Sequence, residues 1–196
     1  MDLSTIIPIV LCGGFSRRFG RDKLREPFGD GWLIDRPIAA LRGVFGPRVM
    51  LVGQVDEFLA ARADGVLADL HPGAGPAGGI LSALESTPDA GGVCVLAGDL
   101  PAITPAALLL VLAEADAHPE AWAVWAVTDR PQPCIGLYRT GAITPLRQAL
   151  LGDRSLHRAI SSTKLRAVRI NPSDAFNINT LDDAASHRAS AANNPP

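Results

Sequence analysis

Long apolar runs are missing from this chain, and with them any candidate for a membrane span, which would need ~18 residues. The best of them, AALLLVLAEA at 106–115, is soon broken by acids and reads as a buried helix. The first residues, MDLSTIIPIVLCGG, lack the basic start of a secretory signal; their apolar part reads as a first strand, and a cytoplasmic protein is expected. Charge of one sign is lacking too. The formal net charge is −2, with acids and bases mixed along the sequence, so the basic stripe that nucleic-acid binding requires is absent. The three cysteines, Cys12, Cys94 and Cys134, are odd in number and far apart, which excludes a CxxC pair or a disulfide framework and fits a reducing compartment. The four histidines show no HExxH-type spacing, so no structural zinc site is expected. No internal repeat and no linker is visible.

What is present is a globular composition, 47% hydrophobic over 196 residues, enough for one well-buried domain and short for two. Short apolar runs rich in β-branched residues recur at 6–11, 48–52, 65–68, 92–97, 122–127, 134–139 and 166–170. Most are apolar throughout rather than alternating, as strands covered on both faces are. Helical patterns lie between them. Asp35 can cap a helix carrying Ile38, Leu41, Val44 and Phe45, and Thr104-Pro105 is a capping residue followed by a first-turn proline for a helix through Ala117. Thr180 and Asp183 make a capping pair for a last helix. Strands alternating with helices predict an α/β fold: a three-layer α/β/α, Rossmann-like sandwich around a mostly parallel sheet. The expected organisation is one domain over 1–188, followed by a disordered tail over 189–196, whose ASAANNPP end is small and polar.

The segment LCGGFSRRFGRDK, 11–23, follows the first strand. It is not a P-loop, because Gly20 is followed by Arg21-Asp22-Lys23 rather than by Lys and Ser or Thr. It is not the dinucleotide fingerprint either, since Gly13 and Gly14 are adjacent. Its physics still suits a phosphate. Gly13 and Gly14 let backbone N–H groups approach an anion, while Arg18 and Lys23 can neutralise a polyphosphate and Asp22 can hold one of those cations. The alternative is a solvated basic loop.

This pattern resembles the signature of MobA-like nucleotidyltransferases, the molybdenum cofactor guanylyltransferases and their relatives. Further pieces occur in matching order: VLADLHPGAGPAGGILSAL at 66–84, LAGDLPAITP at 96–105, where the family usually has Cys-Asp-x-Pro, QPCIGLYR at 132–139, and DAFNINTLDD at 174–183. The resemblance implies a nucleotide-diphospho-sugar transferase-like fold and transfer of GMP from GTP to the terminal phosphate of molybdopterin. Pyrophosphate leaves, and no covalent enzyme intermediate forms. It implies Mg²⁺ as cofactor with Asp99 as its ligand at a parallel-sheet edge, where a single carboxylate plus phosphate oxygens can suffice. The catalytic set is Lys23, Arg18 and Asp99, with Lys23 and Arg18 clamping the phosphates. The resemblance likewise assigns Leu11, Cys12, Gly13, Gly14, Lys23, Asp69, Gly78 and Asp99 to nucleotide binding, and Asn177 and Asn179 to the acceptor side.

Each residue also has a plainer reading: a turn-capping aspartate for Asp99, an exposed loop lysine for Lys23, a helix-feeding loop for Gly75–Gly79, turn asparagines for Asn177 and Asn179. Arg154 and Arg158 could meet the acceptor's phosphate or form a solvated helix face. Cys12 stands where the family usually has Ala. Guanylyltransferases tend to carry an asparagine at the end of the second strand, whereas this chain reads LVGQ at 51–54; Gln54 substitutes for it, or the base differs. Alternatives are therefore a nucleotidyltransferase using CTP or another phosphorylated acceptor, and a nucleotide-binding module without catalysis. Molybdenum-insertion proteins and molybdoenzymes or their chaperones are the protein partners the resemblance implies. The failed glycine spacing disfavours a Rossmann-type oxidoreductase.

Overall fold

The computed structural model describes residues 1–13, 22–153, 155–178, 180 and 183. The strands are β1 (Ile6–Cys12), β2 (Pro27–Phe28), β3 (Gly31–Trp32), β4 (Met50–Gly53), β5 (Gly65–Leu67), β6 (Gly92–Ala97), β7 (Ala123–Val127), β8 (Pro131–Tyr138) and β9 (Leu165–Arg169). The helices are α1 (Asp35–Phe45), α2 (Glu57–Ala60), α3 (Gly75–Ser86), α4 (Pro105–Ala117), α5 (Ile143–Leu151) and α6 (Leu156–Ala159). Seven strands form one sheet in the order β5-β4-β1-β6-β8-β7-β9. All seven apolar runs of the sequence lie in it. Only β8 runs against the others: it is antiparallel to β6 and β7, while every other pairing in the sheet is parallel.

The near-continuous apolarity of β1 has its reason in this topology. β1 is central, and its side chains alternate between two cores. Val10 packs into the layer that holds Ile38, Leu41, Leu108 and Val111 of α1 and α4. Ile9 packs into the layer that holds Ile80, Leu84 and Leu146 of α3 and α5. The three-layer sandwich expected from the sequence is the observed one.

Helix α4 starts as its sequence dictates. Thr104 caps it by accepting the Ala107 N–H at 3.3 Å, with Pro105 in the first turn. At the other end the Arg139 guanidinium donates to the carbonyls of Ala115, Ala121 and His118 at 2.7, 2.9 and 3.3 Å. Two expectations need correction. Helix α4 is buried on one face only, because Leu109 and Leu110 remain 53% and 46% exposed; a run apolar all round hides the helical phase. Asp35 is not the cap of α1. It is the helix's first residue, and its carboxylate turns back to accept the Trp32 N–H at 2.8 Å and Arg62 at 3.0 Å. Thr180 and Asp183 do exchange the expected reciprocal bonds, at 2.8 and 3.1 Å; the helix they would start, and the tail over 189–196, lie outside the described residues.

Candidate active site

The C-terminal ends of β1, β4, β5 and β6 meet at one edge of the sheet, where open α/β sheets receive ligands. A cleft of about 250 Å³ opens there, lined by Leu11, Cys12 and Gly13 after β1, Val52, Gly53 and Gln54 after β4, Asp69 after β5, and Gly73, Gly75, Pro76 and Gly79 at the start of α3. Glycine is required in its floor. Gly53 has φ +112°, and a Cβ there would lie 1.8 Å from the Cys12 carbonyl oxygen. That close approach lets the Gln54 N–H donate to the same oxygen at 2.7 Å, tying β4 to β1. The walls are mostly apolar or glycine, with Gln54 the neutral polar exception; the N-terminus of α3 turns its positive end to the cleft, and among the described residues Asp69 is the one acid in the lining.

Beside the cleft, Lys23 and Asp99 form an ion pair with both side chains largely buried. Their neighbours bring them together. Asp22 caps a 3-10 turn over Lys23–Arg25 by accepting the Leu24 N–H at 3.0 Å. Leu24 is buried and packs so closely on Gly98 that a Cβ at 98 would stand 2.9 Å from its Cδ2. Lys23 and Asp99 are the residues flanking that contact. The 177–178 segment completes the corner: Ile178 N–H donates to the Asp99 carbonyl at 3.1 Å, and Lys23 Nζ donates to the Ile178 carbonyl at 3.3 Å. Ile178 is held in turn by Phe28 and Leu33 around the β2–β3 hairpin. Asn177 Oδ1 is buried there and has no hydrogen-bond partner among the described residues. Burial pushes the Cys12 and Cys134 thiols up to about 12, with the Asp22 and Asp99 charges adding to it.

A family model, the MobA-like NTP transferase domain, matches residues 8–168. The chain belongs to the MobA-like NTP transferase family. This MobA-like chain is 32% identical to the molybdenum cofactor guanylyltransferase of Rhizobium johnstonii, covering 93% of this chain and 91% of that one. In fold it is similar to the crystal structure of molybdopterin-guanine dinucleotide biosynthesis protein A from Archaeoglobus fulgidus, with TM-score 0.75, 24% identity, and coverage of 95% of this chain and 99% of that chain. A manganese complex of a Mycobacterium tuberculosis protein shares the fold at TM-score 0.66 and 21% identity, over 92% of this chain and 96% of that one.

Of the residues singled out in the sequence, Leu11, Cys12, Gly13 and Asp69 line the cleft, Lys23 and Asp99 meet beside it, and Asn177 precedes Ile178, whose backbone bonds to both. Gly78 lies one step behind the wall, facing His71 and Ala74, while Gly75 and Gly79 line it. Arg158 pairs with Asp153 on the surface at 3.0 Å. Gly14, Arg18, Arg154 and Asn179 lie outside the described residues. Ser82, His71, Glu85 and Asp174 escaped the sequence reading. The only signal for the first three is their helical spacing from Gly78 or their closeness to Asp69 along the chain. Asp174 is buried and accepts the Thr104 N–H and hydroxyl at 2.9 and 2.7 Å, which pins the start of α4 to the segment that carries Asn177. Glu85 is pulled upward most by burial, yet its carboxyl is held below the usual value by hydrogen bonds from Arg147 and His71.

Proposed function

We propose that this MobA-like nucleotidyltransferase transfers GMP from GTP to the terminal phosphate of molybdopterin, forming the guanine dinucleotide cofactor and releasing pyrophosphate. The observation that carries the reading is the juxtaposition of an apolar, glycine-walled cleft holding one carboxylate with the Lys23–Asp99 pair at the same sheet edge. A flat base suits the cleft. Asp69, an acceptor when ionised, suits guanine, whose N1–H and 2-amino group are adjacent donors; adenine and cytosine have no such pair. The name of the Rhizobium relative supports both guanine and the acceptor.

In the reaction, an oxygen of the acceptor's terminal phosphate attacks the α-phosphorus of GTP. The bond from that phosphorus to the β-phosphate's bridging oxygen breaks, and pyrophosphate carries the negative charge away. Lys23 holds the phosphates in line and offsets charge on the leaving group, with Arg18 assisting from the glycine loop. Asn177 and Asn179 orient the acceptor. Asp99 and the unpartnered Asn177 Oδ1 offer hard oxygen donors fit for Mg²⁺. No cluster of three His, Cys, Asp or Glu residues that could hold a metal is present among the described residues, so phosphate oxygens and water would complete the shell. When bound there, the cation neutralises triphosphate charge; the manganese complex of the mycobacterial neighbour supports a divalent ion. The main-chain N–H groups around Gly13 and the α3 N-terminus orient the nucleotide. We place the activity in the cytoplasm, alongside molybdenum-insertion proteins and molybdoenzymes or their chaperones; no helix among the described residues is long and apolar enough to cross a membrane.

The test is pyrophosphate release from GTP, CTP and ATP with molybdenum-loaded molybdopterin and Mg²⁺. Release with GTP alone, dependent on the acceptor, is expected. Asp99→Asn and Lys23→Met should each lower kcat/KM by about 10²-fold or more. A preference for CTP overturns the base assignment, release without acceptor overturns the acceptor, and near-normal turnover of Asp99→Asn removes that residue from the chemistry.

A further inference from the structure

Gly78, Ser82 and Glu85 recur at spacings of four and three along α3, so they share one face of the helix, and all three meet the segment at 69–71. Gly78 allows the close approach: a Cβ at 78 would stand 2.9 Å from the His71 carbonyl oxygen and 2.6 Å from the Ala74 Cβ. Glu85 holds the far end, its Oε2 lying 2.7 Å from His71 Nε2. Ser82, between them, is fully buried. Its hydroxyl accepts the Leu70 N–H at 2.9 Å and donates to Asp69 Oδ1 at 3.2 Å. The same Oδ1 accepts the His71 N–H at 3.1 Å. Two donors therefore hold one oxygen of the Asp69 carboxylate, and Oδ2 has no hydrogen bond among the described residues. A carboxylate fixed at one oxygen cannot swivel, and its second oxygen keeps a constant aim.

We propose that Ser82 is a positioning residue for nucleotide selection: it locks the Asp69 carboxylate so that Oδ2 stays presented to the donor edge of the base. Ser82 itself does not touch the substrate. The inference rests on the assignment of Asp69 to guanine. If Ser82 served only to satisfy the Leu70 N–H, its loss would lower stability and leave selectivity alone. If it aims Asp69, its loss falls on selectivity.

The experiment compares kcat/KM for GTP and ITP, which lacks the 2-amino group, in wild type, Ser82→Ala, Asp69→Asn and the double variant. Wild type should prefer GTP, and Ser82→Ala should reduce that GTP:ITP ratio about 3- to 10-fold, a part of what a hydrogen bond to a charged group carries. In the Asp69→Asn background the same change should leave the ratio unaltered, because the group that Ser82 aims is gone. Ser82→Cys, which keeps the volume and only a weak donor, should fall between and serves if the alanine variant does not fold. An unchanged ratio in both Ser82 variants, beside a discriminating wild type, overturns the role of Ser82 alone. A wild type that treats GTP and ITP alike overturns the assignment of Asp69, and this inference with it.

Discussion

Replacing Gly53 by alanine should damage the cleft floor and the fold together. The residue sits at φ +112°, where side chains are strained, and the added Cβ would lie 1.8 Å from the Cys12 carbonyl oxygen. Real Cβ contacts stay beyond 3.0 Å, so the ends of β1 and β4 must part by more than an ångström. Backbone strain of this kind costs about 1–3 kcal/mol. Parting the strands also weakens the 2.7 Å bond from the Gln54 N–H, worth about 0.5–1.5 kcal/mol. Together these give about 1.5–4.5 kcal/mol, or a fall of about 3–18 °C in Tm for a chain of this size. Because Gly53 and Gln54 line the cleft, KM for GTP should rise well before the protein melts. Thermal unfolding and initial rates at 20 °C on the same preparation measure both. A Gly53→Ala variant with wild-type Tm and wild-type KM would refute the reasoning, since neither strain nor displacement would then exist at the β1–β4 junction.

Asp174→Ala should cost about 1.5–3 kcal/mol, the range for hydrogen bonds to a charged group, because it removes the one acceptor shared by the Thr104 N–H and hydroxyl at the start of α4. A fall of about 3–12 °C in Tm checks this; an unchanged Tm would mean that the α4 start is held by other bonds. Burial raises the Cys12, Cys94 and Cys134 thiols from 9.0 to about 12. Their alkylation at pH 8 should run about 10³-fold slower in the folded protein than in denaturant, in proportion to the thiolate present. The linked stability has a definite sign. A folded value above the unfolded one leaves stability intact below about pH 9 and erodes it between 9 and 12, so denaturant midpoints should fall across that window.

Much of the fold was legible because a sheet buried on both faces writes itself as short apolar runs, and all seven runs became strands. The direction of β8 was harder to read. Its signal is the three-residue link, Thr128–Arg130, between β7 and β8, too short for a parallel crossover. The β2–β3 hairpin has two residues per strand and no periodicity to detect, yet it packs on Ile178 and so supports the corner beside Asp99. At the site, Asp69, Lys23 and Asp99 stood at strand ends or on a glycine loop and could be found there. Which glycine of GPAGG faces the cleft depends on the phase of α3, which fixes Gly75 and Gly79 in the lining and Gly78 behind it. Ser82 was invisible for a related reason. A buried serine in an apolar helix is unremarkable until the segment that it holds, twelve residues back, is folded against it.

The sheet order has a consequence for biosynthesis. β1 is a central strand that leaves the ribosome before both of its neighbours, because β4 and β6 are not complete until residues 53 and 97. Until then, a strand apolar on both faces has open edges, the state in which nascent chains associate wrongly. The cleft inherits this schedule, since its floor joins β1 to β4 and its lining is complete only with α3. Truncations that stop short of residue 97 should thus be chaperone clients rather than small nucleotide-binding domains.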